Sequence, residues 1–216
     1  MSDYISKWHK ELGIFSKIKP LIILEGNVLD SYQYPEEGST PKGSILRLPE
    51  YLHFFFKDMG YQNIVFYDKV LSGDIDTYLQ LIYEVNPLDD LLAYGGNFEF
   101  GTDNPSKIEV EFTVNENALS SAKRQLSATE YNNLLQDYIC SVCIRIARDM
   151  FALLPVAHTL VHAVLSSNTI ISVDFDRVNL SKVKFGYIDP SDTLSLFKHN
   201  MNYNDGSGFA PVANLE

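Results

Sequence analysis

With 216 residues the chain can bury a sizeable core without disulfides or metal, and its hydrophobic (45%) and charged (21%) fractions exclude a disordered or fibrous class. The formal charge of -11, from 17 basic and 28 acidic residues, repels phosphate backbones and favours basic partners, and two cysteines are too few for a secreted disulfide framework. The start, MSDYISKWHKELGIF, has no apolar signal region, and no apolar run approaches the roughly 18 residues of a membrane span. The expectation is a cytoplasmic protein that binds neither membrane nor, directly, nucleic acid.

Ile5, Trp8, Leu12 and Phe15 recur at helical spacing, so residues 2–17 read as an amphipathic helix. LIILEG follows as an apolar strand stopped at Gly26. Residues 27–47, with two prolines and two glycines, read as a long loop, a length that is often functional. Pro49 and Gly60 bracket a helix over PEYLHFFFKDM, and NIVFYD is a second buried strand, which together predict a parallel βαβ unit. Another helix is expected over residues 74–86, ended by Pro87. Gly95, Gly96, Gly101 and Pro105 break any period over residues 91–106, which read as a connecting segment.

KIEVEFTV then alternates, with Ile108, Val110, Phe112 and Val114 on one face and Lys107, Glu109, Glu111 and Thr113 on the other, as a strand wet on one side does. Ser127 and Glu130 fit a capping box, so a long helix should run over residues 127–154 until Pro155. Its Cys140 and Cys143 form a C-x-x-C within the apolar arc, opposite Ser141, Arg145, Arg148 and Asp149. A structural zinc site needs two further ligands that no second Cys or Cys/His pair supplies, and a redox pair needs its first thiol exposed at a helix start. The pair therefore reads as packed core, and no cofactor or metal is expected.

Residues 156–176 read as a hairpin turning at Ser166 to Thr169. His158 and His162 share a face about 13 Å apart, too far for one metal. Two registers are open: an even loop sets His162 opposite Val173, and an odd one sets His158 opposite Asp176 and His162 opposite Ser172. Only the second makes a polar site. Asp174 and Asp176 lie about 6.6 Å apart on one face, a span that a hydrated cation could bridge. Asp189 and Asp192 cap a final helix over TLSLFKHNM, in which Leu194, Phe197 and Met201 keep helical spacing and His199 sits near the favourable end. The tail NDGSGFAPVANLE should be extended, with Phe209 tucked against the body or free for a partner.

There is no Walker, dinucleotide, nucleophile-elbow or H-E-x-x-H motif. In parallel sheets ligands favour the crevice beyond the strand ends, which here would carry Glu25, Gly26, Asn27, Asp30, Asp68 and Lys69. LIILEGNVLD followed by LPEYLHFFFKDMGYQNIVFYD, within residues 20–70, resembles the α/β segment that precedes the ATPase module of some bacterial AAA-type ATPases, with its Gly-Asn-x-x-Asp turn. No Walker motif follows, so the resemblance implies a non-catalytic accessory or docking domain.

The expected fold is α+β, or mixed α/β: an N-terminal βαβ lobe over residues 1–90, and a C-terminal lobe over 107–216 of strands and a hairpin on the buried helix. The expected function is a non-enzymatic, acidic protein-binding component of bacterial type, an accessory, immunity or regulatory protein. Its surface would include Asp30, Glu36 and Glu37 and meet a basic partner. Two rivals stand beside it: a metal-dependent hydrolase or nuclease using Asp174, Asp176 and His158, and small-ligand binding at the crevice from Glu25 to Asp68.

Overall fold

The structure is a computed structural model and describes residues 69–70, 72–93, 95–183 and 188–216. The expected N-terminal βαβ unit, and nearly all of the stretch carrying the ATPase resemblance, lie outside those residues. What is described is an α+β fold around a mixed sheet of six strands in the order β1-β2-β3-β4-β5-β6.

Helix α1, Ile75–Val85, forms where residues 74–86 predict it. Asp74 caps its start by accepting from the Thr77 N–H, and Asn86 ends it in the left-handed conformation that asparagine tolerates, at φ 48°. A 3-10 turn, Asp89–Ala93, leads into β1, Gly95–Gly101. A strand inside the stretch read as a connector is a correction. Its glycines hide the alternation of Asn97 and Glu99 with Phe98 and Phe100, yet Phe98 stacks on Phe112 of β2 at 6.0 Å. Residues on both sides of this stretch, from Val70 and Tyr78 to Phe175, belong to one buried cluster.

Strand β2, Lys107–Val114, pairs antiparallel with β1 and buries the four apolar residues its alternation predicts. A 3-10 turn, Glu116–Leu119, and the short α2, Ser120–Gln125, lead to α3, Ala128–Leu153. The capping box is formed: the Ser127 N–H donates to Glu130, and the Glu130 N–H to Ser127 Oγ. Helix α3 is the crossover that lets β3, His158–Leu165, lie parallel to β2. Cys140 and Cys143 are wholly buried among Ile139, Ile146, Ala147 and Met150. Most of the polar arc is buried as well: Ser141, Arg145 and Asp149 are buried, Arg148 partly so, and Arg145 pairs with Asp149 one turn on. At the far end, Arg177 donates to the carbonyls of Leu154 and Val156 and stacks over Phe151, closing the helix terminus.

Strand β4, Asn168–Asp176, completes the hairpin. Ser166 and Ser167 form a two-residue loop with φ of 49° and 65°, the positive pair that a tight right-twisted hairpin demands. Continued without interruption from Leu165 opposite Asn168, this loop alone would set His162 against Ile171. A register shift between Ala163 and Val164 adds one residue on β4, so His158 faces Asp176 and His162 faces Ser172. The polar register is thus made by a bulge rather than by loop parity.

Helix α4, Arg177–Leu180, follows, and Asp189 caps α5, Pro190–Leu194, as expected. The expected helix stops there. Lys198–Asn204 is instead β5, antiparallel to β4, and His199 lies on it with Nδ1 2.8 Å from the Phe197 carbonyl oxygen. Three asparagines favour helix little, and β4 offers an open edge. Strand β6, Gly208–Ala210, pairs with β5, and Phe209 packs on Tyr203 at 5.1 Å. No helix of the described residues is long and apolar enough to cross a membrane.

Candidate functional site

The two faces of the sheet differ. One packs on α3. The strand alternation and registers place Glu99 of β1, Lys107, Glu109 and Glu111 of β2, His158 and His162 of β3, Ser172, Asp174 and Asp176 of β4, and Lys198 and Asn200 of β5 on the other. At its centre His162 and Ser172 are fully buried, and a buried polar pair requires partners.

Those partners form a continuous chain. His162 Nδ1 lies 2.9 Å from Ser172 Oγ, and Nε2 lies 3.0 Å from a Glu109 carboxylate oxygen. The Leu215 N–H donates to the same Ser172 oxygen at 2.8 Å. With a neutral ring, donors and acceptors close in one direction. Leu215 donates to Ser172, the serine hydroxyl donates to Nδ1, and Nε2–H donates to Glu109. Glu109 ends the chain at the surface, its side chain 46% exposed.

A second histidine pair lies four residues along β3. His158 Nδ1 meets Asp174 at 2.9 Å, on a half-exposed ring. The carboxylate holds the tautomer that leaves Nε2 as the free acceptor, the orientation a general base needs. Asp176 does not share this site. It accepts from the Asn179 main chain and side chain and caps α4. Asp174 and Asp176 are therefore engaged separately, and no group of three or more His, Cys, Asp or Glu suited to a metal ion occurs among the described residues.

On the β1 side, Glu99 and Glu111 stand directly opposite each other, both exposed. Among the described residues neither has a basic neighbour in an ion pair; Asn97 donates to Glu99. A directly opposed like-charge pair is unfavourable in isolation, and among the described residues β1 is the first strand of the sheet order.

The thiols are chemically quiet. Burial pushes both up, Cys140 further through the nearby Cys143 thiol, and a thiolate is disfavoured at both. A third feature had no signal in the sequence. Asp137 of α3 is pushed up to about 7, first by burial and then by Asp189 and Asp192 beside α5.

Of the sequence-predicted site, Glu25, Asn27, Asp30, Glu36, Glu37 and Asp68 lie outside the described residues. Lys69 is exposed, and its main-chain carbonyl accepts from Ser72 and Asp74. Ser172 stands opposite His162 as one of the two open registers has it, but Glu109 was not expected as the second partner of that histidine, because the pairing of β2 with β3 depends on a long crossover. The fold and site define an α+β protein with a polar, partly covered sheet face. No protein-family model, curated protein or solved structure matches the chain.

Proposed function

We propose that this chain is a non-enzymatic, acidic protein-binding component, an accessory, immunity or regulatory protein acting in the cytoplasm on a partner with a basic surface. The observation that carries this reading is the Glu99 and Glu111 pair, exposed and opposite each other on β1 and β2. Placing two carboxylates opposite each other costs stability, and a lysine or arginine brought by a partner offsets that cost. The overall charge of -11 adds long-range attraction for such a partner. Asp30, Glu36 and Glu37 belong to the same proposal as further acidic residues for the partner.

The test is capture from a lysate at low salt, elution with rising salt, and comparison with the double charge reversal Glu99→Lys and Glu111→Lys. Retention of a basic protein that is lost with salt and lost in the variant supports the reading. Retention indifferent to both rejects it.

The hydrogen bond between His158 and Asp174 favours a second reading, hydrolytic chemistry with His158 as base. In its metal-dependent form Asp174 and Asp176 would share a divalent ion. Calorimetric titration with magnesium, manganese and zinc decides that form: absence of heat with all three removes it.

A further inference from the structure

The centre of the polar sheet face is closed by the chain itself. After β6 the backbone leaves β5 and crosses to β4. The last β4 to β5 pair is Ile171 with Met201, so β5 leaves the Thr169 carbonyl open, and the Val212 N–H takes it at 2.8 Å. One residue on, Asn200 Nδ2 donates to the Ala213 carbonyl at 2.8 Å. Two residues further, the Leu215 N–H reaches Ser172 Oγ. Three anchors, Thr169 and Ser172 on β4 and Asn200 on β5, hold an extended segment to the sheet at the buried Ser172, the hydrogen-bond partner of His162.

That segment is weakly committed to the body. Residues 211, 213, 214 and 216 are exposed, and only Val212 and Leu215 are partly buried. It forms no regular element, and each of its polar anchors exchanges for water with little net change. A segment with few apolar contacts and solvent-facing hydrogen bonds opens at low cost. Beneath it lies the opposite situation: a hydroxyl and an imidazole, fully buried, joined to an exposed carboxylate.

We infer that residues 211–216 are a displaceable strap, and that the chain of Ser172, His162 and Glu109 is the site it closes. The occupant that replaces the strap is an extended peptide segment, because the slot offers a carbonyl acceptor, an amide donor and a hydroxyl acceptor in the order that an extended main chain satisfies. The peptide half of this inference deepens the protein-binding reading; the strap half is independent of it and of the Glu99 and Glu111 surface.

Diethyl pyrocarbonate modification of individual histidines, read by mass spectrometry, tests both halves. In the native protein the half-exposed His158 reacts and His162 does not. Leu215→Pro removes the donor to Ser172, and Asn200→Ala removes the anchor on Ala213. Each should raise modification of His162 relative to His158 by about tenfold or more, with the unfolding midpoint in urea unchanged. A synthetic peptide of residues 208–216, added in excess to the Leu215→Pro protein, should restore protection. His162 that stays unreactive in both variants overturns the strap, as does global unfolding of both, which would make the segment part of the core. Exposure without protection by the peptide overturns the peptide slot alone.

Discussion

Replacing Asp137 should stabilise this protein, and only in one range of pH. In the unfolded chain its carboxyl titrates near 3.8; in the fold it is pushed up to about 7 by burial and by Asp189 and Asp192. Between those values the native state holds one proton more than the unfolded state, so stability falls as pH rises through the window, and the loss is complete above about pH 8. At about 1.4 kcal/mol per pH unit the full cost of ionising the group in place is at most about 4 kcal/mol. Solvent screening of a carboxyl that is only partly buried reduces the expected effect to about 2 kcal/mol. Asp137→Asn keeps the shape of the neutral acid and removes the ionisation. Urea unfolding of both proteins from pH 4 to pH 8.5 should give curves that coincide at the acid end and separate steadily above pH 5, with the variant more stable. Asp192→Asn should recover part of the same gain by removing one repelling charge. A difference that does not change with pH, or a variant less stable at pH 8, would refute the placement of Asp137 against Asp189 and Asp192.

Three further outcomes follow from the packing. Cys140 and Cys143 should resist a thiol reagent in the native protein and react only on unfolding, and Cys143→Ser should cost about 1–3 kcal/mol by burying a hydroxyl without loss of any metal. Ser127→Ala should cost about 1 kcal/mol, because it removes one half of a formed capping box, read as a shift in urea midpoint. Gly208→Ala should be destabilising by about 1 kcal/mol or more, since Gly208 has φ +77° and an added Cβ would meet the Asn132 side chain at 3.4 Å.

Local chemistry was legible where a single segment determines it. The alternation in KIEVEFTV and the Ser127 and Glu130 box act within a few residues, and each formed as read. The two misread elements fail for opposite reasons. In β1 the glycines mask an alternation whose phenylalanines only gain meaning against Phe112. In β5 the spacing of Leu194, Phe197 and Met201 imitates a helix, while the decisive fact, an open β4 edge, lies more than twenty residues upstream in the chain. The site was half visible. His158 and His162 could be named, with both registers open, but the choice between them rests on a bulge that no residue type announces. Glu109 joins His162 only because α3 returns the chain parallel to β2, and Leu215 joins Ser172 from a further 43 residues along.

The claim that the Glu99 and Glu111 pair exists to meet a basic partner is tested most directly by one substitution read twice. Glu111→Lys relieves the opposition to Glu99, so it should raise folding stability by about 0.2–1 kcal/mol while abolishing low-salt capture of the partner. A variant that is more stable and binds no longer would show that the repulsion is kept for binding. A variant that is less stable, or one that captures the same protein as before, would contradict it.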